Sequence, residues 1–220
     1  MHQELYSPSY ARARMIEQQI RTADVHDRRV LSVLTTVSRE EFVPEALRKL
    51  AYADTNIPLL HGHAMMTPQI EGELLQALAL TDQDDVLEIG TGSGYLTACL
   101  AQLAGHVTSI ELHADQLEKA RAALDRTGIR NIDTSCEDVF HRRDDRQFDA
   151  IAVTGSLPLH DERFERWLRP GGRLFLIIGQ GPAMEAKLIS RSSSGLQTTS
   201  LFETAIEPVE NAPQPESFTF

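Results

Sequence analysis

The residues best placed for chemistry are acidic side chains around a glycine-rich turn. Glu88-Ile89-Gly90-Thr91-Gly92-Ser93-Gly94-Tyr95 has the form E-x-G-x-G-x-G. The apolar run Val86, Leu87 and Ile89 before it reads as a buried strand. After it, Leu96, Cys99, Leu100, Leu103 and Ala104 recur at i, i+3, i+4, i+7 and i+8, one face of a helix. The glycines therefore occupy a strand-to-helix turn, where a ligand can approach the backbone closely and free N–H groups at the helix start can meet a carboxylate or phosphate. The third glycine comes one residue earlier than in the G-x-G-x-x-G dinucleotide fingerprint, and Tyr95 takes that position.

A second carboxylate has a matching place. His106–Glu111 reads as a strand, and its terminal Glu111 follows Gly94 by 111 − 94 = 17 residues. That is close to the spacing at which an acidic side chain accepts hydrogen bonds from ribose hydroxyls. Glu137-Asp138 end a third predicted strand, Ile132–Cys136. Upstream, the loop His61-Gly62-His63-Ala64-Met65-Met66-Thr67-Pro68 carries polar side chains and one hydroxyl, Thr67. No third metal ligand stands at recognisable spacing from the His61–His63 pair, so no metal is predicted.

These positions need a scaffold, and the pattern supplies one. Strands at 86–89, 106–111, 132–136, 148–154 and 173–178 alternate with helical stretches at 96–104, 114–126 and 161–168. The fold class expected is α/β, a mostly parallel Rossmann-like sheet with helices on both faces and right-handed crossovers. Gly128 is placed to stop the 114–126 helix, and Pro170-Gly171-Gly172 to stop the next. Before the core, residues 1–10 read as a loose arm, and Ala11–Arg21 as a helix. Asp27 is set to cap a second helix, Ser38 and Glu41 have capping-box spacing, and Ile70–Leu80 reads as a helix entering the core. Segments 186–190 and 196–206 flank Ser192-Ser193-Ser194-Gly195 as an antiparallel hairpin, and 211–220 is a Pro-containing extended tail. The expected division is residues 1–80 as a helical extension with a substrate loop, 81–210 as the core, and 211–220 as the tail.

With 220 residues, 41% hydrophobic and 24% charged, the chain has the composition of a soluble α/β domain. No apolar run approaches the ~18 residues of a membrane span, and no secretory pattern opens the sequence. Cys99 and Cys136 form no C-x-x-C pair and read as reduced, small apolar residues, which points to the cytoplasm. A net charge of 21 − 32 = −11 opposes nucleic-acid binding.

The glycine motif resembles motif I of class I S-adenosylmethionine (SAM) methyltransferases. Several separate stretches resemble one branch of them, the protein-L-isoaspartate O-methyltransferases. Met15-Ile16-Glu17-Gln18-Gln19-Ile20 is similar to that family's N-terminal helix. Ser38-Arg39-Glu40-Glu41-Phe42-Val43-Pro44 is similar to its V-P-R-x-x-F-V-P segment, and Ala51-Tyr52-Ala53-Asp54 to its A-Y-x-D. Val86–Tyr95 follows its V-L-E-I-G-T-G-S-G-Y, Phe148–Thr154 its F-D-A-I-x-V-T, and Leu168–Leu174 its L-x-P-G-G-R-L.

The resemblance implies SAM as cofactor, S-adenosylhomocysteine as product, and methylation of the carboxylate of isoaspartyl residues in damaged proteins. It implies a cofactor site made of Glu88, Gly90, Thr91, Gly92, Gly94, Tyr95, Glu111, Leu112, Glu137, Asp138, Val139 and Thr154, with the Glu137-Asp138 position meeting adenine. The chain departs from the family in the loop before the first core helix. The family's G-Q-T-I-S-Q-P is here Gly62-His63-Ala64-Met65-Met66-Thr67-Pro68, with Met66 at the active-site serine position. A thioether donates no hydrogen bond. Thr67, Met66 and His63 are therefore the expected catalytic-loop residues, Thr67 as the hydroxyl and His63 as pocket lining. The departure leaves two further readings: a related methyltransferase with another acceptor, such as a small molecule, or a SAM-binding protein without catalysis. The oligomeric state is not legible.

Overall fold

A computed structural model describes residues 7–143 and 145–215. Its centre is a seven-stranded sheet in the order β5-β4-β3-β6-β7-β8-β9. The strands are β3 (Asp85–Ile89), β4 (His106–Glu111), β5 (Ile132–Cys136), β6 (Phe148–Leu157), β7 (Leu168–Gln180), β8 (Ala183–Ser192) and β9 (Gly195–Thr204). Pairing is parallel from β5 through β7 and antiparallel from β7 to β9. The order reverses at β3, whose neighbours are β4 on one side and β6 on the other, and the C-terminal ends beside that switch are where α/β sheets bind ligands. A separate two-stranded ribbon, β1 (Ile57–Pro58) with β2 (Ala64–Met65), lies in the N-terminal part.

Six α-helices accompany the strands among the described residues: α1 (Pro8–Met15), α2 (Arg28–Thr36), α3 (Pro68–Leu78), α4 (Tyr95–Leu103), α5 (Ala114–Thr127) and α6 (Arg163–Arg166). None is long and apolar enough to cross a membrane. One apolar cluster joins the N-terminal helices to the sheet: Met15, Ile20, Val30 and Leu34 pack with Leu74, Leu75, Cys99, Leu100 and Phe175. A second fills the opposite face with Leu87, Phe148, Phe164, Trp167 and Leu176. The N-terminal extension thus shares its core with the sheet.

The expected strands and hairpin form, most of them longer than the pattern suggests. Asp27 caps α2, its Oδ1 accepting from the N–H groups of Arg29 and Val30, and Gly128 ends α5 with φ 74°. Four expectations need correction. The first helix begins at Pro8, inside the expected loose arm, because Ser7 and Pro8 make a helix start. It then passes through a π-turn at Ile16–Ile20 and a 3₁₀ turn at Arg21–Ala23. The capping box does not form, because Ser38 Oγ accepts instead from Arg12 at 2.8 Å. The helix expected at 161–168 shrinks to α6, since residue 168 already pairs with Phe148 as the start of β7. The tail expected to run extended from 211 instead turns at its start, where Asn211 has φ 65° and Ala212 N donates to Val209 O, burying Ala212 in the second cluster, while residues 216–220 lie outside the described residues.

Candidate cofactor and acceptor site

A cleft of about 870 Å³, including its open mouth, lies at the C-terminal ends of β3, β4 and β6. Its floor is Ile89, Gly90, Gly92, Ile110, Glu111, Leu112, Glu137, Asp138, Val139, Thr154 and Gly155. Its facing wall is Asn56, Leu59, His63, Ala64, Met65 and Met66, and a strap, residues 206–210, crosses it.

The floor is set by sheet register and glycine. Gly90 has φ 95°, and a Cβ there would lie 2.3 Å from Thr154 Oγ1. That hydroxyl donates to the carbonyls of Ile89 and Gly90 at 2.8 and 2.9 Å, tying β6 to the turn. Glu111 is buried and doubly held: Oε2 accepts from Gly92 N at 2.9 Å and Oε1 from His113 N at 3.2 Å. Each carboxylate oxygen keeps a second lone pair for a ligand hydroxyl. Asp138 accepts from Phe140 N at 2.8 Å and from Asn211 Nδ2 at 3.0 Å. Glu137 accepts from Ser135 Oγ and from Arg142. This donor set fits a nucleoside: a carboxylate at ribose depth, a second acidic pair at the next strand end, and apolar Leu112 and Val139 beside them.

Four motif residues serve the cleft from behind it. Glu88 is fully buried and does not line it. Its Oε2 accepts from Thr97 and Ser109, Oε1 has no partner among the described residues, and burial pushes its pKa up to about 8. Thr91 Oγ1 lies 2.6 Å from Ser109 Oγ, continuing that network. Gly94 permits close helix packing, since a Cβ there would meet Leu124 at 3.2 Å and Ala120 at 3.4 Å. Tyr95 is buried edge-on to Phe42, with the Arg39 guanidinium 5.2 Å from its ring centre.

On the facing wall the loop residues separate. His63 and Met66 line the cleft, whereas Thr67 does not. Thr67 is the N-cap of α3, and its Oγ1 accepts from Ile70 N at 3.5 Å. The backbone explains this, because Pro68 occupies the first helical turn and fixes the preceding residue as the cap.

Several residues that sequence reasoning missed hold this wall. Arg39, fully buried, forms a bidentate pair with Glu71 at 3.0 and 3.1 Å, and donates to the carbonyls of Ala51 at 2.8 Å and Met66 at 2.6 Å. Burial pushes the Glu71 carboxyl above its usual range, and Arg39 opposes that rise. Gln116 donates to Gly92 O at 2.5 Å and accepts from Leu60 N at 3.3 Å, bridging floor and wall. The strap is fixed by Ser156, whose N–H donates to Glu207 O and whose carbonyl accepts from Val209 N. Gly155, directly after Thr154, makes room for it, since a Cβ there would lie 2.9 Å from Val209.

The fold and the strand-end cleft with its E-x-G-x-G-x-G turn define a class I SAM-dependent methyltransferase. Two solved structures share the fold. A Plasmodium falciparum protein described as a protein-L-isoaspartate O-methyltransferase, in complex with S-adenosyl-L-homocysteine, aligns with TM-score 0.76 at 20% identity over 89% of this chain and 96% of that one. Another protein-L-isoaspartate O-methyltransferase aligns at 0.74 and 22% identity over 90% of this chain and 65% of that one. The sequence relationship is closer to curated bacterial proteins. A protein-L-isoaspartate O-methyltransferase of Rhodopseudomonas palustris is 39% identical over 75% of this chain and 76% of its own length. Protein-L-isoaspartate O-methyltransferase 1 of Syntrophobacter fumaroxidans is 37% identical over 87% and 90%. The family profile of protein-L-isoaspartate(D-aspartate) O-methyltransferase matches residues 10–210, and the chain belongs to that family. It is accordingly a SAM-dependent O-methyltransferase.

Proposed function

We propose that this chain methylates the free carboxylate of isoaspartyl residues in damaged proteins, with the cofactor in the strand-end cleft and the acceptor entering past the 56–66 wall. The observation that carries this reading is the buried Glu111 carboxylate locked to the Gly92 amide on the cleft floor. A nucleoside bound there would be held by Glu111, with Gly90, Gly92 and Met66 lining the rest of the cleft. When bound, SAM would supply an activated sulfonium methyl, whose carbon would pass in line to a carboxylate oxygen as its C–S bond breaks, with S-adenosylhomocysteine as the leaving group. The acceptor carboxylate, with pKa near ~4, is already ionised at neutral pH, so no side chain has to remove a proton. The protein's part is placement. Glu111 fixes the ribose, Glu137 and Asp138 meet the adenine side, and Gly90 and Gly92 let the methionine end approach the backbone. Asn56 and His63 supply the polar side chains of the acceptor wall, Met66 packs against the reacting centre, and Thr67 acts through the backbone as the cap that fixes Met66. Repair in the cytoplasm fits two free cysteines, one of them buried.

Labelled SAM offered with matched isoaspartyl and aspartyl peptides tests this. Transfer selective for the isoaspartyl peptide is expected. Tight S-adenosylhomocysteine binding with no isoaspartyl transfer would refute this acceptor and favour another, the consequence of methionine where the family carries serine.

A further inference from the structure

Three segments distant in sequence meet at the cleft mouth, each with one metal-binding side chain. His63 precedes β2, His113 lies between β4 and α5, and Glu210 ends the strap. His113 Nε2 is 2.8 Å and His63 Nε2 3.6 Å from the same Glu210 oxygen. All three ligand atoms lie within 4.8 Å of one another. We propose that His63, His113 and Glu210 bind one divalent transition-metal ion of the zinc type, which pins the strap across the cleft.

Two imidazoles and one carboxylate are the donor set of zinc and its neighbours, and they leave a fourth position open. Bonds of about 2.0–2.1 Å put tetrahedral donors ~3.3 Å apart. The two distances to Glu210, 2.8 and 3.6 Å, lie on either side of that value. One ligand is already braced: the His61 ring stacks on His113 with centroids 3.8 Å apart and planes within 9°. His61 is in turn held by Asp115 at 2.8 Å. A surface imidazole–carboxylate pair needs only one histidine and contributes little, ~0–1 kcal/mol. His106–Asp133 and His160–Glu165 are pairs of that kind. At Glu210 two imidazoles converge on one oxygen, with ring planes 56° apart. The sequence hid this site because the partners of His63 lie 50 and 147 positions away (113 − 63; 210 − 63).

An ion bound here links the acceptor wall, the turn after Glu111 and the strap. With it in place His63 is a ligand, and Asn56 remains as the donor on the acceptor side. The ion's site rests on side chains alone, so it is tested without SAM or acceptor and can fail independently of the methyltransferase reading.

The experiment is Zn²⁺ titration of the metal-stripped full chain, prepared without a histidine tag, by calorimetry, with Co²⁺ absorption as a second readout of coordination. One Zn²⁺ per chain is expected. His113→Ala and Glu210→Gln should each weaken it at least ~10-fold, while His160→Ala should match the wild type. Circular dichroism confirms that the variants are folded. Absence of a stoichiometric site, or a site unchanged by both ligand substitutions, would overturn the proposal.

Discussion

The two walls of the cleft are built by different means. The floor is backbone: parallel register between β3, β4 and β6 brings Gly90, Glu111 and Thr154 together, and the key contacts join main-chain groups of the turn to side chains of the neighbouring strands, such as Gly92 N to Glu111 Oε2. The facing wall is loop and strap, with short ribbon pairing only, and polar side chains from elsewhere hold it. Arg39 reaches 32 residues to Glu71 and 27 to Met66, and Gln116 reaches 56 to Leu60. A binding surface for an invariant cofactor can be fixed by one contiguous motif and a sheet. A surface that receives a variable acceptor is attached to it by a few long-range clamps, so its loss need not cost the floor.

Arg39→Ala tests that separation most severely. It leaves Glu71 buried without its partner and frees the Met66 carbonyl. The expected loss is about 3–5 kcal/mol of unfolding free energy, measured by urea denaturation. The folded fraction should still bind S-adenosylhomocysteine, with methyl transfer lost. Equal loss of cofactor affinity per folded molecule would erase the distinction between the walls.

Glu88→Gln probes the floor. The wild-type carboxyl has its folded pKa raised from 4.5 to about 8 by burial, opposed by the hydrogen bonds from Ser109 and Thr97. A raised folded pKa means that the fold favours the protonated form. Its contribution is therefore fully present below about pH 4.5 and is lost as pH rises through about 8. The glutamine variant cannot ionise, so its stability should fall less over that window, leaving it ~1–3 kcal/mol ahead of the wild type at pH 8. Thermal unfolding across pH 5–8.5 checks this. Identical pH profiles would mean that Glu88 does not titrate there.

Thr67→Ala has the smallest expected effect. Loss of a helix cap costs ~1 kcal/mol. Turnover per folded molecule should stay within about twofold, read by labelled methyl transfer. A 100-fold fall in turnover at unchanged stability would return Thr67 to the reacting centre.

These differences track what was legible in the sequence. Residues 86–95 declare strand, turn and helix within one stretch, and Glu111 has a spacing set by one crossover. Glu88, Thr91, Gly94 and Tyr95 belong to the same words but act behind the cleft, because a motif's spelling does not separate packing from ligand contact. Gly94 is spaced like Gly92 yet faces Ala120 and Leu124. Thr67 read as a hydroxyl for chemistry, but Pro68 after it makes it a cap. Arg39, Gln116 and the 206–210 strap were not legible as site elements, because their meaning lies in partners brought by the fold. Pro208 also removed any strand pattern from the segment that bridges to Ser156.

The placement of the cofactor is tested most directly by S-adenosylhomocysteine titration of Gly92→Val beside the wild type. Gly92 lines the cleft at φ 53°, where a β-branched side chain is strained and would fill the approach to the backbone. A variant folded by near-ultraviolet circular dichroism should bind at least ~100-fold more weakly, about 2.7 kcal/mol. Unchanged affinity in that folded variant would contradict a cofactor seated on the Gly92–Glu111 floor.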